Sequence, residues 1–227
     1  MLAIATAAMR AVAHTAEGRA FHHKAEGALG HKITIISGRK EARLTAYGVM
    51  SSLPKVVGIC GDLGGGSLEL ASIDQGDIKH TTTVSIGTLT LLSETRGDPL
   101  VTEHLVNQRL QGIAWLKQAK GKNFYAIGGS WRALGRIMMK KLGVPPRSVH
   151  GFAIKAELAS QYALAIARQS PADFSTMPDK IRRRADIIPG AASTLAKLIT
   201  LMKPRQIVFS GYGVREGLIR QDDLKKR

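Results

Sequence analysis

Residues 61–70 combine two acids, four glycines and a serine in one short segment, Gly61-Asp-Leu-Gly-Gly-Gly-Ser-Leu-Glu-Leu70, directly after an apolar run. Consecutive glycines let the backbone approach a ligand closely, and their amide N–H groups can then surround an anion. Gly64, Gly65 and Gly66 would supply these amides, and Ser67 would add a hydroxyl. The segment therefore predicts a phosphate site, although a glycine-rich hairpin with solvated acids has the same composition.

The two acids of this segment carry the oxygen ligands that Mg²⁺ prefers. Asp62 ends the first strand, and Glu69 lies on the outgoing strand, where a hairpin would fold it back toward Asp62. We therefore expect Asp62 and Glu69 to organise Mg²⁺ and its water. The sequence contains neither Gly-x-x-x-x-Gly-Lys-Ser/Thr nor Gly-x-Gly-x-x-Gly, so this is neither of the common nucleotide loops.

A third acid, Glu41, falls in the first turn of a predicted helix that follows a strand and the turn Ser37-Gly38. A carboxylate at this position is favoured by the helix dipole, which is a purely structural explanation. The functional alternative is a general base that deprotonates a water molecule.

A second anion site is predicted at Gly128, Gly129 and Ser130, where a buried strand meets a helix N-terminus. Arg132, Arg136 and Lys140 recur every four residues along that helix. They form a basic stripe, which is either a solvated face or a surface for a polyanionic substrate.

The elements that must position these residues alternate between strand and helix, which indicates an α/β fold. Three buried strands end in glycine- or serine-rich turns, after Cys60, Ile127 and Phe209, and ligands gather at such strand ends. A glycine- and histidine-rich loop is expected after the first short helix, and one amphipathic helix is expected over residues 100–118.

Charge is the unusual property of the composition, with 33 Lys plus Arg against 17 Asp plus Glu and a formal charge of +16. Such an excess of positive charge favours anionic partners.

The single cysteine, Cys60, forms no intrachain disulfide and is typical of a reducing cytoplasm. No apolar run approaches the roughly 20 residues of a membrane span, so we expect a cytoplasmic protein without membrane contact.

The sequence resembles the exopolyphosphatase / guanosine pentaphosphate phosphohydrolase family (Ppx/GppA). Seven blocks carry the resemblance in order along almost the whole chain: residues 5–10, 36–38 with 41–44, 62–70, 85–87, 128–130, 185–190 and 210–217. The resemblance implies an actin-like ATPase (ribonuclease H-like) fold of two lobes. Residues 1–52 would be a remnant of the N-terminal lobe, and residues 53–227 a nearly complete second lobe whose last helix could return to the first.

The resemblance also implies an activity: Mg²⁺-dependent release of the terminal phosphate from inorganic polyphosphate or from pppGpp. By position, Glu41 becomes the water-activating base, Asp62 and Glu69 the groups that organise metal and water, and residues 64–67 the phosphate loop. Arg10 matches an arginine that faces the phosphates. The resemblance does not distinguish between the two substrates. It is also compatible with a homodimer.

Two departures from the family pattern affect this expectation. Lys40 stands where relatives usually have a second acid before the base, and nothing in the sequence matches the first phosphate loop, Asp-x-Gly-Ser-Asn-Ser. We therefore expect weak or no phosphatase activity from these 227 residues alone. A non-catalytic polyanion- or nucleotide-binding module is the main alternative. A sugar-kinase-like ATPase is a further alternative, but the sequence shows no signature of a substrate pocket for it. A nucleic-acid-binding protein is the last alternative, and only the positive charge favours it.

Overall fold

The computed structural model describes residues 2–145 and 148–225, with side chains described up to residue 220. This part of the chain contains eight strands and ten α-helices. The strands are β1 (Ala3–Ala5), β2 (Ile33–Ile35), β3 (Gly58–Leu63), β4 (Leu68–Asp74), β5 (Asp77–Val84), β6 (Asn123–Ile127), β7 (Ala153–Lys155) and β8 (Gln206–Phe209). The helices are α1 (Ala7–Val12), α2 (Ala16–Leu29), α3 (Gly38–Ser52), α4 (Thr88–Thr95), α5 (Pro99–Leu110), α6 (Gly129–Lys141), α7 (Ala156–Ala167), α8 (Asp179–Arg182), α9 (Ile188–Met202) and α10 (Val214–Lys225).

Six of the strands form one mixed sheet in the order β5-β4-β3-β6-β8-β7. Strands β3, β6 and β8 are parallel to one another at its centre, while β4, β5 and β7 run antiparallel to their neighbours. The carboxyl ends of the three parallel strands therefore meet at one edge. Strands β1 and β2 form a separate two-stranded parallel sheet.

Helices cover both faces of the large sheet, because the apolar side chains of β3 and β6 alternate between two cores. On one face, Ala42, Ala46 and Val49 of α3 pack with Cys60 and Tyr125. The larger core on the other face is built with helices α4 to α9. Helix α10 packs on α3, and Gly217 lies so close to the backbone carbonyl of Leu44 that a Cβ atom there would overlap it.

Helix α2 contradicts the loop expected after the first short helix. Thr15 caps its start by accepting a hydrogen bond from the Gly18 amide, and Gly30 ends it in the left-handed conformation, with φ 70°. Alanine and glutamate favour the helix between these caps more strongly than the histidines and the two internal glycines oppose it.

The single helix expected over residues 100–118 is divided in two. Helix α5 ends at Leu110, and a short 3₁₀ helix spans Ala114–Ala119.

Within the described residues, no helix is long and apolar enough to cross a membrane.

Candidate functional site

The site lies where the three central strands end, and Asp62 is at its centre. Asp62 pairs with Ile127 of β6, so the loop that begins at Gly128 lies beside it. A Cβ atom at Gly128 would be 3.2 Å from Asp62 Oδ1, and one at Gly213, after β8, would be 3.5 Å from Asp62 Oδ2. The loops that follow β3, β6 and β8 therefore converge on one carboxylate, as the strand-end pattern predicted.

The predicted phosphate loop, residues 64–67, is held by the start of α4. The amides of Thr88 and Leu89 donate to the carbonyls of Gly64 and Gly65, at 3.0 and 2.9 Å. Within the described part of the chain, the amides of Gly65 and Gly66 donate to no protein acceptor. The carbonyls are thus turned toward α4, and the two amides remain available to an anion.

The second predicted anion site, Gly128, Gly129 and Ser130, forms the entrance to α6. Gly128 has φ 107°, and a Cβ atom on it would lie 2.4 Å from the carbonyl oxygen of Leu63. Only glycine can therefore bring the start of α6 this close to the end of β3. Among the side chains that the structure describes, none caps this helix, so its first amides face outward from the N-terminus.

Glu41 reaches the same region from the other side, because α3 begins beside the sheet. The hydroxyl of Ser37 accepts a hydrogen bond from the Lys40 amide and fixes the first turn of α3. Glu41 is buried, and its Oε2 atom lies 3.0 Å from Nη1 of Arg10. The glutamate predicted as a base is therefore held in an ion pair with Arg10.

Arg10 contacts carboxylates rather than the loops. Its Nη1 donates to Glu41 and to the carbonyl of Ile36, and its Nη2 lies 3.4 Å from Oε1 of Glu69. About a quarter of the Arg10 side chain, 26%, is exposed. Arg10 thus joins two of the three predicted acids into one network.

Asp62 and Glu69 are directly opposite each other in the β3–β4 ladder, so their side chains lie on the same face. The Oε1 atom of Glu69 accepts hydrogen bonds from Ser67 Oγ at 2.5 Å and from Thr83 Oγ1 at 2.8 Å. The hydroxyl of Ser67, predicted to bind phosphate, is therefore engaged with Glu69. The hairpin brings the two acids together as the sequence predicted.

Both carboxyl groups are held in an environment that favours the neutral form. Burial, followed by the negative charge of Glu41, raises the pKa of Asp62 to about 6 and that of Glu69 to about 7. The hydrogen bond from Thr45 to Asp62 Oδ2, at 3.3 Å, opposes this shift only in part. Arg10 is one positive charge beside three carboxyl groups, and a bound cation relieves such an incompletely neutralised cluster.

These residues fit Mg²⁺, which usually binds through one or two carboxylates together with water and substrate phosphate oxygens. Asp62 and Glu69 supply the carboxylates. In the stretches that the structure describes, no three His, Cys, Asp or Glu side chains form a complete cage for an ion. The arrangement therefore suits an ion that is shared with a phosphate better than an ion enclosed by protein.

A cavity of ≈ 290 Å³ opens beside Asp62 and is lined by residues that include Arg132, Arg215 and Glu216. The Oε2 atom of Glu216 accepts a hydrogen bond from the Gly213 amide at 2.8 Å and so caps α10. Asp62 is consequently open to a compartment with both anionic and cationic walls.

Arg132, Arg136 and Arg184 form a cluster, hereafter the arginine cluster, at the start of α6. A Cβ atom at Gly129 would lie 3.3 Å from Nη2 of Arg184, so this guanidinium covers the helix entrance. Burial and the charges of Arg132 and Arg184 lower the pKa of Arg136. Within residues 2–145 and 148–220, none of the three arginines pairs with an acid.

Sequence reasoning missed four side chains that touch these groups: Thr45, Thr83, Arg184 and Glu216. The two threonines lie in regular elements and carry no motif. Arg184 belongs to the basic run at residues 180–184, which the sequence allows as an extra anion contact but favours as an ordinary solvated face. Glu216 lies inside the matched block at residues 210–217, which was the one available signal.

Together, the fold and the site define an α/β protein whose strand-end loops can surround an anion next to a cluster of carboxylates. A family model described as the Ppx/GppA phosphatase family matches residues 1–226. The chain belongs to the Ppx/GppA phosphatase family. Its α/β fold of the actin-like class, predicted from the resemblance, is confirmed.

Relatives and solved structures agree with this assignment. The chain is 24% identical over 225 residues to a guanosine-5'-triphosphate,3'-diphosphate pyrophosphatase of Aeromonas hydrophila, which covers 95% of the chain and 43% of that relative. It is similar to the crystal structure of an Aquifex aeolicus family member, with TM-score 0.77, 20% identity and coverage of 100% of this chain and 74% of that one. It is also similar to an exopolyphosphatase from Cytophaga hutchinsonii, with TM-score 0.84, 16% identity and coverage of 97% and 74%. The chain therefore spans less than half the length of the curated relative.

Proposed function

We propose that this chain carries the hydrolytic site of a phosphatase that releases the terminal phosphate of inorganic polyphosphate or of pppGpp. The observation that carries the proposal is the network of Arg10, Glu41 and Glu69, with Asp62 opposite Glu69, beside a loop whose amides are available to an anion. Hydrolysis of a phosphoanhydride needs such neighbours: donors for the phosphate oxygens and a base for the water.

In the proposed reaction, Glu41 is the base. It accepts a proton from a water molecule whose oxygen attacks the terminal phosphorus, while the bond to the bridging oxygen breaks and its electron pair leaves with the shortened chain. The ion pair with Arg10 supports this role because it holds the carboxylate of Glu41 in a fixed position.

The phosphate oxygens are proposed to lie between the amides of Gly65 and Gly66 and the start of α6 at residues 128–130. Arg132 and Arg184 of the arginine cluster would neutralise the next phosphates along the substrate. Asp62 and Glu69 would hold Mg²⁺, which supplies charge neutralisation to the phosphate when it is bound.

We further propose that the site lies between two lobes, residues 1–52 and 53–227. Arg10 and Glu41 then come from the first lobe, and Asp62 and Glu69 from the second. The packing of α10 on α3 supports a return of the last helix to the first lobe. Because the 227 residues contain one acid–glycine loop rather than two, we expect slow turnover by this polypeptide alone.

The test is phosphate release from polyphosphate and from pppGpp in the presence of Mg²⁺. We expect slow release that Glu41→Gln reduces by about 100-fold or more, since it removes the proton acceptor. Glu17→Gln is the matched control, because Glu17 is also a first-turn glutamate but lies exposed on α2. Release that is unaffected by Glu41→Gln would contradict the assignment of the base. A rate of phosphate release like that of a full-length relative would contradict the expected slow turnover.

A second candidate is a non-catalytic polyanion- or nucleotide-binding module. The arginine cluster favours it, because these charges need neither Glu41 nor Mg²⁺ to bind phosphate. Tight binding of polyphosphate without any release of phosphate would support this candidate over hydrolysis.

A further inference from the structure

A cavity of ≈ 360 Å³ lies between α4 and the start of α9, apart from the cavity beside Asp62. Its apolar walls include Leu91 of α4, together with Ile187 and Pro189 where α9 begins. The volume is at the small end of ligand pockets in proteins, so the cavity suits one small molecule. The apolar walls can take a short aliphatic group out of water.

Ser193 of α9 provides a polar group at this cavity. The residue is only 9% exposed. Its neighbour Thr194 donates to the carbonyl of Gly190 at 2.9 Å, whereas the Ser193 hydroxyl has no hydrogen-bond partner among the described residues. In the same part of the chain, no fully enclosed side-chain oxygen or nitrogen lacks a partner, so this hydroxyl is accessible. A ligand that hydrogen-bonds to it would satisfy a largely buried polar group.

Two exposed side chains of opposite charge also line the cavity: Arg96, which follows α4, and Asp186, which precedes α9. Across the stretches that the structure describes, neither forms an ion pair, with the other or with any other residue. A guanidinium pairs well with a carboxylate, and a carboxylate pairs well with an ammonium group. The cavity therefore presents both partners that a zwitterion needs, beside walls that suit a hydrocarbon side chain.

We propose that this cavity binds an aliphatic α-amino acid. Arg96 pairs with the α-carboxylate of the ligand, Asp186 pairs with its α-ammonium group, and Ser193 adds a hydrogen bond. The aliphatic side chain of the ligand packs against Leu91 and Ile187. This inference goes beyond the proposed phosphatase activity and does not depend on it.

Helix α4 lies between this cavity and the phosphate loop. Thr88 lines the cavity, and its backbone amide donates to the carbonyl of Gly64 at 3.0 Å. Among the described residues that line the cavity, none belongs to residues 62–69. The amino acid and the phosphate therefore occupy different sites and should bind without competition.

The test compares leucine with two analogues that each lack one charge. The analogue without the ammonium group is 4-methylpentanoate, and the analogue without the carboxylate is 3-methylbutylamine. Their dissociation constants are measured by NMR titration of the full chain. We expect leucine to bind about tenfold more tightly than either analogue, because each analogue loses one charge-assisted pair.

Variants identify the side chains that hold the two charges. Arg96→Gln should weaken leucine by about tenfold and 3-methylbutylamine by less than about twofold, because the amine has no carboxylate to lose. Asp186→Asn should weaken leucine by about tenfold and 4-methylpentanoate by less than about twofold. Ser193→Ala should weaken leucine by about threefold. Glu17→Gln, at an exposed position on α2, is the control and should change none of these constants.

Selective losses in Arg96→Gln and Asp186→Asn are the outcome that supports the amino-acid site. Both side chains are exposed, so the fold should tolerate these changes. No detectable binding of leucine, equal affinities for the three ligands, or equal effects of Arg96→Gln and Glu17→Gln would overturn the site and leave the proposed phosphate site intact. Displacement of leucine by inorganic tripolyphosphate would overturn it as well, since both ligands would then share one site.

Discussion

Glu69 and Asp62 show how strongly a single residue depends on its neighbours. Glu69 has only 2% of its side chain exposed, and its Oε1 atom is surrounded by the hydroxyls of Ser67 and Thr83. Hydrogen bonds to an ionised carboxylate lower its pKa, yet burial and the charge of Glu41 together have the larger effect. Above neutral pH, Glu69 is therefore ionised in an environment that disfavours its negative charge.

This disfavoured charge predicts an unusual dependence of stability on pH. Because the pKa of Glu69 is about 7 in the folded protein and near its ordinary value in the unfolded chain, the folded state binds the proton more tightly. The free energy of unfolding should therefore fall as pH rises from about 4 through 7, by about 3 kcal/mol from this group. Urea unfolding in Mg²⁺-free buffer at pH 5 and pH 8 measures the effect.

A variant separates this group from the other titrating residues. Glu69→Gln keeps an acceptor oxygen for Ser67 and Thr83 but cannot ionise, so its stability should exceed that of the parent at pH 8 and not at pH 5. Glu157→Gln, at an exposed position on α7, should retain the parent's pH dependence. A Glu69→Gln variant with the parent's pH profile would show that Glu69 is not the source.

At the scale of elements, the distance between α3 and β5 determines where Glu41 lies relative to Glu69. Gly38, the first residue of α3, faces Thr83 of β5, and a Cβ atom on Gly38 would lie 2.5 Å from that of Thr83. Thr83 in turn donates to Glu69. One contact thus links the helix that carries Glu41 to the strand pair that carries Glu69.

This contact predicts a specific effect of adding one methyl group. Gly38→Ala should displace the start of α3, reduce the free energy of unfolding by about 1–3 kcal/mol and weaken phosphate release. Gly27→Ala is the matched control, because nothing lies within 4 Å of that position in α2, and it should be neutral or stabilising.

A double-mutant cycle with Thr83→Gly tests whether the displaced neighbour is Thr83. The cost of Gly38→Ala measured by urea unfolding should be smaller in the Thr83→Gly background, since the atoms that it meets are gone. Equal costs in both backgrounds would mean that the methyl group is accommodated elsewhere.

Contacts between residues close in sequence could be predicted from the sequence, whereas contacts between distant segments could not. The pairing of Asp62 with Glu69 could be predicted, because a short hairpin fixes it locally. The contacts of Thr83 with Gly38 and of Arg184 with Gly129 could not, because each joins segments more than 40 residues apart without a motif. Arg10 was identified from the resemblance, but only the fold reveals that its guanidinium pairs with Glu41 and Glu69.

At the scale of the whole molecule, the formal charge of +16 creates a field that attracts polyanions from every direction. General attraction of polyanions depends on positive charge spread over the whole surface, whereas a specific site needs positive charges close together. Within the described residues, the arginines of the arginine cluster form no ion pair with an acid, whereas other cations, such as Lys79 and Arg109, are paired with acids. Specific binding should therefore depend on a few arginines rather than on the total charge.

Polyphosphate binding at different salt concentrations separates these two contributions. Affinity should fall steeply with NaCl in the parent, since binding releases counterions, and Arg184→Gln should lower both the affinity and the slope of its logarithm against that of salt. Arg168→Gln removes the same charge from the exposed end of α7 and should leave both nearly unchanged. If the two variants weaken binding equally, the overall charge rather than the arginine cluster holds the polyanion, and the position of Arg184 over the start of α6 has no special role in binding.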